Sequence, residues 1–276
     1  MLNRLGAATI VDSPVNIEDY IDFIKSLGMG YIEIRTEKNL ASPQDLTDSD
    51  IKRIREKILS CRLIPIVHAS FYDINIASLN ILPRKASIEQ IKICIEFAAK
   101  IGSSLVVTHA GSISKDYSQK YVEIGHNNTI NSLKEIVAFA EKKDIIVGLE
   151  NKQHSNDNYE MVEHFKEHLD FIKIINSPNL KVIFDVGHAN INNMIEVDMR
   201  EYIYKLKDYL VEMHVHDNLG TIDEHLALGK GNVKYLEAIK TVEELGLKIP
   251  VVLELKSMED IKKSVQNLLS SECFKK

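Results

Sequence analysis

The chain has 276 residues, 45% of them hydrophobic and 27% charged, a composition typical of a globular protein with a large core. Its net charge of −6 gives no general attraction for nucleic acid, which disfavours that partner but leaves room for a local basic patch. The sequence opens without a basic and apolar leader and contains no apolar run near the roughly 18 residues of a membrane span. We therefore expect a cytoplasmic protein without membrane contacts.

Short apolar runs rich in β-branched residues alternate with longer segments of helical periodicity along the whole chain. These runs predict eight strands, at Leu5–Ala8, Tyr31–Ile34, Ile64–Val67, Leu105–Thr108, Ile145–Leu149, Leu180–Phe184, Leu210–Val215 and Pro250–Leu255. The intervening segments carry apolar residues at helical spacing, as in Ile88, Ile91 and Ile95. Several of them end at a glycine directly before the next strand, such as Gly102, which is a common signal for a helix C-terminus.

The alternation indicates the fold class. Strands joined through helices form a parallel sheet, and eight such units in about 250 residues close most naturally into a barrel. An open doubly wound sheet is the alternative, but the stretch around the first strand, LGAATIVDSP, lacks the glycine-rich phosphate loop of that fold. No linker or change of composition divides the chain. We predict a single α/β domain over residues 1–276, a (β/α)₈ TIM barrel that is compatible with a homo-oligomer.

The residues that end the strands are the main functional signal, because barrels of this kind carry their chemistry at the C-terminal mouth. One such residue alone usually has a structural role, as a hydrogen-bonded histidine or a helix cap. Here six consecutive strands end in His, Asp or Glu, namely His68, His109, Glu150, Asp185, His214 with His216, and Glu254. Carboxylates that converge in this way repel one another unless a cation neutralises them. The pattern therefore predicts a divalent-metal site.

Three further residues extend the predicted site: His188 in DVGH, and Asp223 with His225 in the loop GTIDEHLALGKGN. Imidazole and carboxylate ligands together favour Zn²⁺, Mn²⁺, Co²⁺ or Fe²⁺ over Ca²⁺, and we expect one to three ions, Zn²⁺ or Mn²⁺ first. His214 and His216 lie two apart on one strand, so they face the same side and compete for one ligand position. His164 and His168 lack the glutamate of a metalloprotease helix, and we expect both on the surface.

With these residues in view, the chain resembles the xylose-isomerase-like barrel superfamily, which contains sugar isomerases and epimerases and also the endonuclease IV type of DNA-repair enzyme. The segments that carry the resemblance are HASFYDINIAS, VVTHAGS, GLEN, FDVGHANI, HVHDNLGTIDEHLALGKGN and VLEL, in that order over nearly the whole chain. The resemblance implies a shared metal site on Glu150, Asp185, His214 or His216, and Glu254, and its spacing favours His214.

The two branches imply different activities. The endonuclease branch uses three zinc ions, and the positions matching its additional ligands are His68, His109, His188, Asp223 and His225, all of which are present. However, the loop after the second strand, RTEKNLASPQDLTDSD, lacks the Arg- and Trp-bearing segment that those enzymes insert into DNA, and the chain contains no Trp. We therefore favour sugar chemistry, with the zinc-dependent abasic-site endonuclease as the alternative.

The resemblance leads to a mechanistic hypothesis. A metal ion would hold the carbonyl and hydroxyl of a sugar or sugar phosphate, and Glu150 and Glu254 would act as the catalytic proton carriers on either side of the acidified carbon. Phe71 and Tyr72, after the third strand, are candidates for a wall against the sugar, or they simply pack at the mouth. Arg35 is a candidate for binding a substrate phosphate or carboxylate, or it forms a surface ion pair.

Overall fold

The computed structural model describes residues 2–11, 13–38, 41–191 and 198–271. Its strands are β1 (Leu5–Ala8), β2 (Tyr31–Arg35), β3 (Ile64–His68), β4 (Leu105–His109), β5 (Ser112–Ser114), β6 (Ile146–Glu150), β7 (Asn158–Glu160), β8 (Leu180–Asp185), β9 (Leu210–Val215) and β10 (Val251–Leu253). Eight of them form a closed parallel barrel in the order β1, β2, β3, β4, β6, β8, β9, β10. The predicted (β/α)₈ barrel is thus confirmed, with all eight predicted strands in place.

Helices pack around the outside of the barrel. They are α1 (Ile17–Ser26), α2 (Asp48–Ser60), α3 (Ile81–Ile101), α4 (Gln119–Glu141), α5 (Phe165–Ile175), α6 (Val186–Ile191), α7 (Met199–Leu206), α8 (Tyr235–Glu244) and α9 (Met258–Ser270). Their apolar stripes face the sheet, as the buried Ile88, Ile91 and Ile95 of α3 show. Gly102 ends α3 at φ 86°, a backbone conformation that favours glycine. Among the described residues, no helix is long and apolar enough to cross a membrane.

The interior of the barrel explains why the functional side chains converge. A small apolar cluster fills it, formed by Ala8, Ile66, Leu105, Val107, Ile183 and Val252. Residues two apart on a strand share a face. His68 follows Ile66 by two, and Asp185 follows Ile183 in the same way, so both side chains point inward one layer nearer the mouth. The apolar layer therefore forms a floor, and the polar strand ends form the layer above it.

A short antiparallel ribbon, β5 with β7, is the one pair of strands in the described chain that the sequence pattern did not reveal. Each strand has only three residues, too few for an alternating pattern to be distinguished from a loop. Ser112 lies opposite Glu160 in this ribbon, directly beyond the C-terminal ends of β4 and β6. The ribbon therefore extends the barrel wall at the mouth.

The expectation that His168 lies on the surface is wrong. His168 is fully buried on α5, where Nε2–H donates to the carbonyl of Leu149 (2.9 Å) and Nδ1 accepts from the hydroxyl of Tyr202 (3.3 Å). Burial holds the pKa of His168 down to about 3, so the ring is neutral in the folded protein. His168 faces the barrel because it shares the inner stripe of α5 with Phe165 and Ile172.

Candidate metal centre

A cavity of about 800 Å³ opens at the C-terminal ends of the barrel strands. Its floor and walls contain seven of the residues that the sequence singled out as metal ligands: His68, His109, Glu150, His188, Asp223, His225 and Glu254. Asp185, His214 and His216 are completely buried beneath it. The structure therefore brings all ten predicted ligands into one region, where they form three clusters that share members.

The first cluster consists of His68, His109 and Glu150, from β3, β4 and β6. The Nε2 atoms of His68 and His109 lie 3.2 and 3.0 Å from Oε2 of Glu150. His68 donates its Nδ1 hydrogen to the carbonyl of Ala69 (2.8 Å), which leaves Nε2 to face the cluster. Three ligand atoms thus meet beside the cavity with room for a further ligand on the cavity side.

The second cluster surrounds Nδ1 of His214 and consists of Glu150, Asp185, His214 and Glu254. Oε1 of Glu150 lies 3.4 Å from this nitrogen, Oε1 of Glu254 3.3 Å, and Oδ2 of Asp185 4.0 Å. Glu150 therefore presents Oε2 to the first cluster and Oε1 to the second. A carboxylate in this position can bridge two ions.

The third cluster consists of His188, His216, Asp223 and His225. Oδ2 of Asp223 lies 3.3 Å from Nε2 of His188 and 3.1 Å from Nε2 of His225, and its Oδ1 lies 3.4 Å from Nε2 of His216. His188 and His225 donate their Nδ1 hydrogens to the carbonyls of Asn151 and Glu254, at 2.9 and 2.7 Å. These hydrogen bonds turn both Nε2 atoms toward Asp223, where a metal ion could bind them together with its carboxylate.

Buried atoms without hydrogen bonds test whether these clusters suit metal ions. Among the described residues, hydrogen-bond partners are lacking for Asp185 Oδ2, His214 Nδ1, both nitrogens of His216, Asp223 Oδ1 and Glu254 Oε1. Unsatisfied buried polar atoms are costly. Ligands about 2.1 Å from a tetrahedral metal lie about 3.4 Å apart, close to the 3.3 and 3.4 Å separations seen here. The residues fit divalent ions in both spacing and donor type.

The electrostatic field at the mouth also favours cations. Burial alone would lower the pKa of His188, but Asp185 and Asp223 outweigh it and raise that pKa well above its usual value. Burial likewise opposes protonation of His214, whose pKa is raised well above normal by Glu33, Glu254 and other nearby carboxylates. A site that attracts a proton this strongly attracts a divalent cation for the same reason.

His214 and His216 do not compete for one ligand position, contrary to the expectation from their spacing. Both side chains face the barrel interior, but His214 lies beside Glu150 and Glu254, whereas His216 lies beside Asp185 and Asp223. Two residues along a strand correspond to more than 6 Å of rise, enough for the two rings to lie beside different carboxylates. The strand therefore supplies a different cluster with each histidine.

The predicted substrate-binding residues all line the cavity. The ring of Phe71 contacts the rings of His68 and His109, at centroid distances of 5.1 and 5.9 Å. Tyr72 lies next to Phe71 and is 60% exposed. Arg35 forms an ion pair, but with Glu254 (2.8 Å) in the wall of the cavity and not on the surface. Its guanidinium is thus engaged with a residue of the second cluster.

Four residues near the site were not predicted to belong to it. Glu33 and Glu212 are completely buried below His214. Lys152 and Glu160 line the cavity, and burial raises the pKa of Glu160 to about 7. An acid in the middle of an apolar strand, as in YIEIR and LVEMHV, is a signal that could have identified the first two. Glu160 had no such signal, because its ribbon was not recognised.

A closed parallel barrel with three clusters of His, Asp and Glu side chains that could hold metal ions at its mouth defines the class of protein. The chain belongs to the xylose isomerase-like TIM barrel family, whose model matches residues 21–271. The uncharacterized protein MJ1311 of Methanocaldococcus jannaschii is 32% identical over 268 residues, which cover 96% of this chain and 88% of that protein.

Two further similarities represent the two branches expected from the sequence. A solved structure described as a D-tagatose 3-epimerase-like protein has a TM-score of 0.84 and 31% identity, and covers 96% of this chain and 95% of that one. The probable endonuclease 4 of Mesomycoplasma hyopneumoniae, strain 7448, is 30% identical over 205 residues, 68% of each chain.

Proposed function

We propose that this protein is a metal-dependent sugar isomerase or epimerase that transfers a proton next to a carbonyl group. The observation that carries the proposal is the position of Glu150 and Glu254. Both carboxylates lie within 3.4 Å of Nδ1 of His214, they come from different sides of the barrel, and both border the 800 Å³ cavity. A small substrate bound in that cavity would lie within reach of both carboxylates. The similarity to a D-tagatose 3-epimerase-like protein supports the same chemistry.

The second cluster would hold the ion of this reaction, with Glu150, Asp185, His214 and Glu254 as its ligands. A divalent ion there, Zn²⁺ or Mn²⁺ first, would polarise the carbonyl oxygen of the substrate and so acidify the neighbouring carbon. The first cluster, His68 and His109 with Glu150, would hold an additional ion or help to orient Glu150.

The two glutamates are suited to carry protons. Burial by itself would raise the pKa of Glu150, but His109 and His214 outweigh it and hold that pKa well below its usual value. At Glu254, Arg35 and His214 likewise outweigh burial and hold the pKa well below its usual value. Both groups are therefore carboxylates at neutral pH, ready to accept a proton. If one removes it and the other returns it on the opposite face, the result is an epimer; return at the adjacent carbon gives an isomer.

The rest of the cavity wall suits a hydroxylated substrate. Phe71 supplies an apolar surface beside His68 and His109, and Tyr72 supplies an exposed ring at the rim. Lys152 adds an amino group and Glu160 a carboxyl group on the side of the extra ribbon. Arg35 forms an ion pair with Glu254. We therefore assign Arg35 the role of positioning that carboxylate, in preference to binding a substrate phosphate.

A deuterium-exchange assay tests the proposal. Metal-loaded protein is incubated in D₂O with a panel of ketoses and ketose phosphates, and deuterium next to the carbonyl is followed by NMR together with product formation. Measured at saturating metal, with the bound metal counted in each sample, Glu254→Gln is expected to lose about 10²- to 10⁴-fold in rate, the usual contribution of acid–base catalysis. The control is Glu259→Gln, a change of an exposed side chain on α9, which should leave the rate equal to that of the wild type. Full activity of Glu254→Gln with normal metal content would exclude this mechanism.

A zinc-dependent endonuclease is the second candidate, and the third cluster is the observation that favours it. Asp223 and His225 add ligands beyond those needed for a single reactive ion, and the similarity to a probable endonuclease 4 points the same way. Incubating the zinc-loaded protein with duplex DNA that contains one abasic site distinguishes the candidates. Metal-dependent incision at that site without turnover of any ketose would establish the endonuclease and overturn the sugar reaction.

A further inference from the structure

A second cavity, of about 620 Å³, adjoins the 800 Å³ cavity of the metal centre, which we call the first cavity. Val11, Tyr72 and Ile74 line both, so the two cavities share a wall. None of the ten candidate metal ligands lines the second cavity. Its volume lies within the range of roughly 300 to 1,000 Å³ that is common for small-molecule sites. The second cavity is therefore large enough to hold a ligand group of its own.

The boundary between the two cavities lies beside the proposed reactive groups. Arg35, which pairs with Glu254, lines the first cavity, and the next residue in the chain, Thr36, lines the second. At the end of β3, Phe71 lines the first cavity and Ser70 the second. A substituent on a ketose held near Glu254 would therefore reach the second cavity after passing about one residue of wall.

Tyr72 forms the partition between the cavities. Its side chain is 60% exposed and packs against the ring of Phe71, with centroids 4.6 Å apart. Oε1 of Glu37 accepts the backbone N–H groups of Phe71 and Tyr72, at 2.6 and 3.1 Å, and so holds this turn in place. An exposed aromatic ring in a fixed position offers an apolar face to the C–H groups of a sugar ring.

Uncharged polar side chains form a connected row along the second cavity. Nε2 of Gln90 donates to the hydroxyl of Ser70 (3.2 Å), and the side-chain amides of Gln44 and Gln90 bond to each other. The hydroxyl of Ser42 donates to Oε1 of Gln44 (3.3 Å). Hydroxyl and amide groups both donate and accept hydrogen bonds, as the hydroxyl groups of a sugar do. The row therefore matches a hydroxylated ligand.

The charges of the second cavity do not suit an anion. Lys38 is the one cationic residue among its described lining residues, and its Nζ lies 2.7 and 2.8 Å from the two carboxylate oxygens of Asp45. Glu37 and Asp73 add negative charge to the lining. Phosphate and carboxylate groups are recognised by positively charged side chains that can bond to them, and a nucleic-acid backbone needs several. The cavity therefore favours an uncharged group.

We propose that the second cavity binds a glycosyl group attached to the ketose, so that the substrate is a disaccharide or another uncharged glycosylated ketose. The inference deepens the proposed sugar reaction and rests on it for the position of the ketose, beside Glu150 and Glu254. The glycosyl ring would stack on Tyr72, and its hydroxyl groups would bond to the row that contains Gln44 and Gln90.

Titration calorimetry of the metal-loaded protein tests the inference. The probes are fructose and two disaccharides, maltulose and isomaltulose, in which fructose carries a glucosyl group. At least one disaccharide should bind about tenfold more tightly than fructose, because a few additional hydrogen bonds suffice for such a factor.

A matched pair of variants locates this preference. Ala86→Trp places a large ring at an exposed position of α3 that lines the second cavity, and should abolish the preference for the disaccharide. Ala138→Trp, the same change at an exposed position of α4 that lines neither cavity, should keep it. Gln90→Ala removes the central amide of the row without filling the cavity, and should reduce the preference as well.

The inference is overturned if neither disaccharide binds more tightly than fructose, if the preference survives in Ala86→Trp, or if Ala138→Trp loses it equally. Gln90→Ala decides in the same way if Ala86→Trp does not fold.

Deuterium exchange into the same three sugars separates this inference from the proposed function. Exchange into fructose without any preference for a disaccharide would refute the glycosyl site and leave the sugar reaction intact. Preferential binding of a disaccharide that Ala86→Trp abolishes, without exchange into any ketose, would refute the sugar reaction and support the glycosyl site.

Discussion

His214 donates its Nε2 hydrogen to Oε2 of Glu33 at 2.9 Å, inside the barrel and out of contact with water. This hydrogen bond fixes both the orientation and the tautomer of the ring, so that Nδ1 faces Glu150 and Glu254. A carboxylate behind a metal-binding histidine increases the basicity of the ligand nitrogen. In the proposed site, Glu33 would therefore prepare His214 to bind an ion, although Glu33 does not border the cavity.

Glu33→Gln should weaken metal binding at the second cluster. The amide is neutral and cannot stabilise the metal-bound imidazole as a carboxylate does, so we expect affinity to fall about 10- to 100-fold. Competition with a chromogenic chelator measures the dissociation constant. Glu212→Gln is the matched control, because burial raises the pKa of Glu212 to about 8 and the group is already neutral at pH 7. Equal affinities for Glu33→Gln and the wild type would contradict the assignment.

Arg35→Met should move the acid limb of the pH–rate profile to higher pH. Burial favours the neutral form of Glu254, and Arg35 at 2.8 Å is the strongest of the groups that oppose burial and lower the pKa. Without Arg35 the pKa of Glu254 rises, and the carboxylate base is lost at a higher pH than in the wild type. The measurement is kcat/KM against pH for the ketose identified by deuterium exchange. Arg35→Lys keeps the charge and should shift the acid limb less than Arg35→Met does. Identical profiles for Arg35→Met and the wild type would contradict this role of Arg35.

His168→Gln should reduce the sensitivity of the fold to acid. The folded protein holds the pKa of His168 near 3, whereas the unfolded chain binds a proton below about 6.5, so stability is lost as the pH falls through this interval. Gln keeps a donor for the carbonyl of Leu149 but does not titrate. Between pH 7 and pH 5, the free energy of unfolding should shift by about 2 kcal/mol in favour of the variant relative to the wild type.

Urea unfolding at several pH values measures this difference for His168→Gln. A stability difference between variant and wild type that stays constant from pH 7 to pH 5 would show that the ring takes up its proton over the same pH range in the folded protein and in the unfolded chain, and would contradict a buried ring that stays neutral.

Removal of bound metal should lower the thermal stability of the protein. Glu150, Asp185 and Glu254 are buried together, and without a cation their mutual repulsion opposes folding. An ion present at 100 times its dissociation constant stabilises the fold by about 2.7 kcal/mol, which corresponds to roughly 5 to 10 °C in a chain of this size. Calorimetry with zinc and with excess chelator measures the shift. An unchanged midpoint would show that the clusters bind no ion under those conditions.

The fold could be predicted largely from local patterns. Most barrel strands are short runs with β-branched residues, such as Leu105–His109. Helices with visible apolar stripes, such as α3, lie between consecutive barrel strands. The ribbon of β5 and β7 escaped prediction because three residues per strand carry no period. His168 was misplaced because a histidine at a helical position looks the same in sequence whether that face is outward or buried.

The amino-acid sequence by itself determined the ring of candidate ligands, because the residue that ends a barrel strand lies at the mouth and the period of two directs these side chains inward. Only the tertiary structure decided how these residues divide into clusters. It separated His214 from His216 by depth, placed Glu33 behind one of them and Arg35 against Glu254, and brought Asp223 from its loop to the third cluster. These relationships join residues as much as 219 positions apart along the chain, as Arg35 and Glu254 are. Barrel closure sets such distances, and no local pattern encodes them.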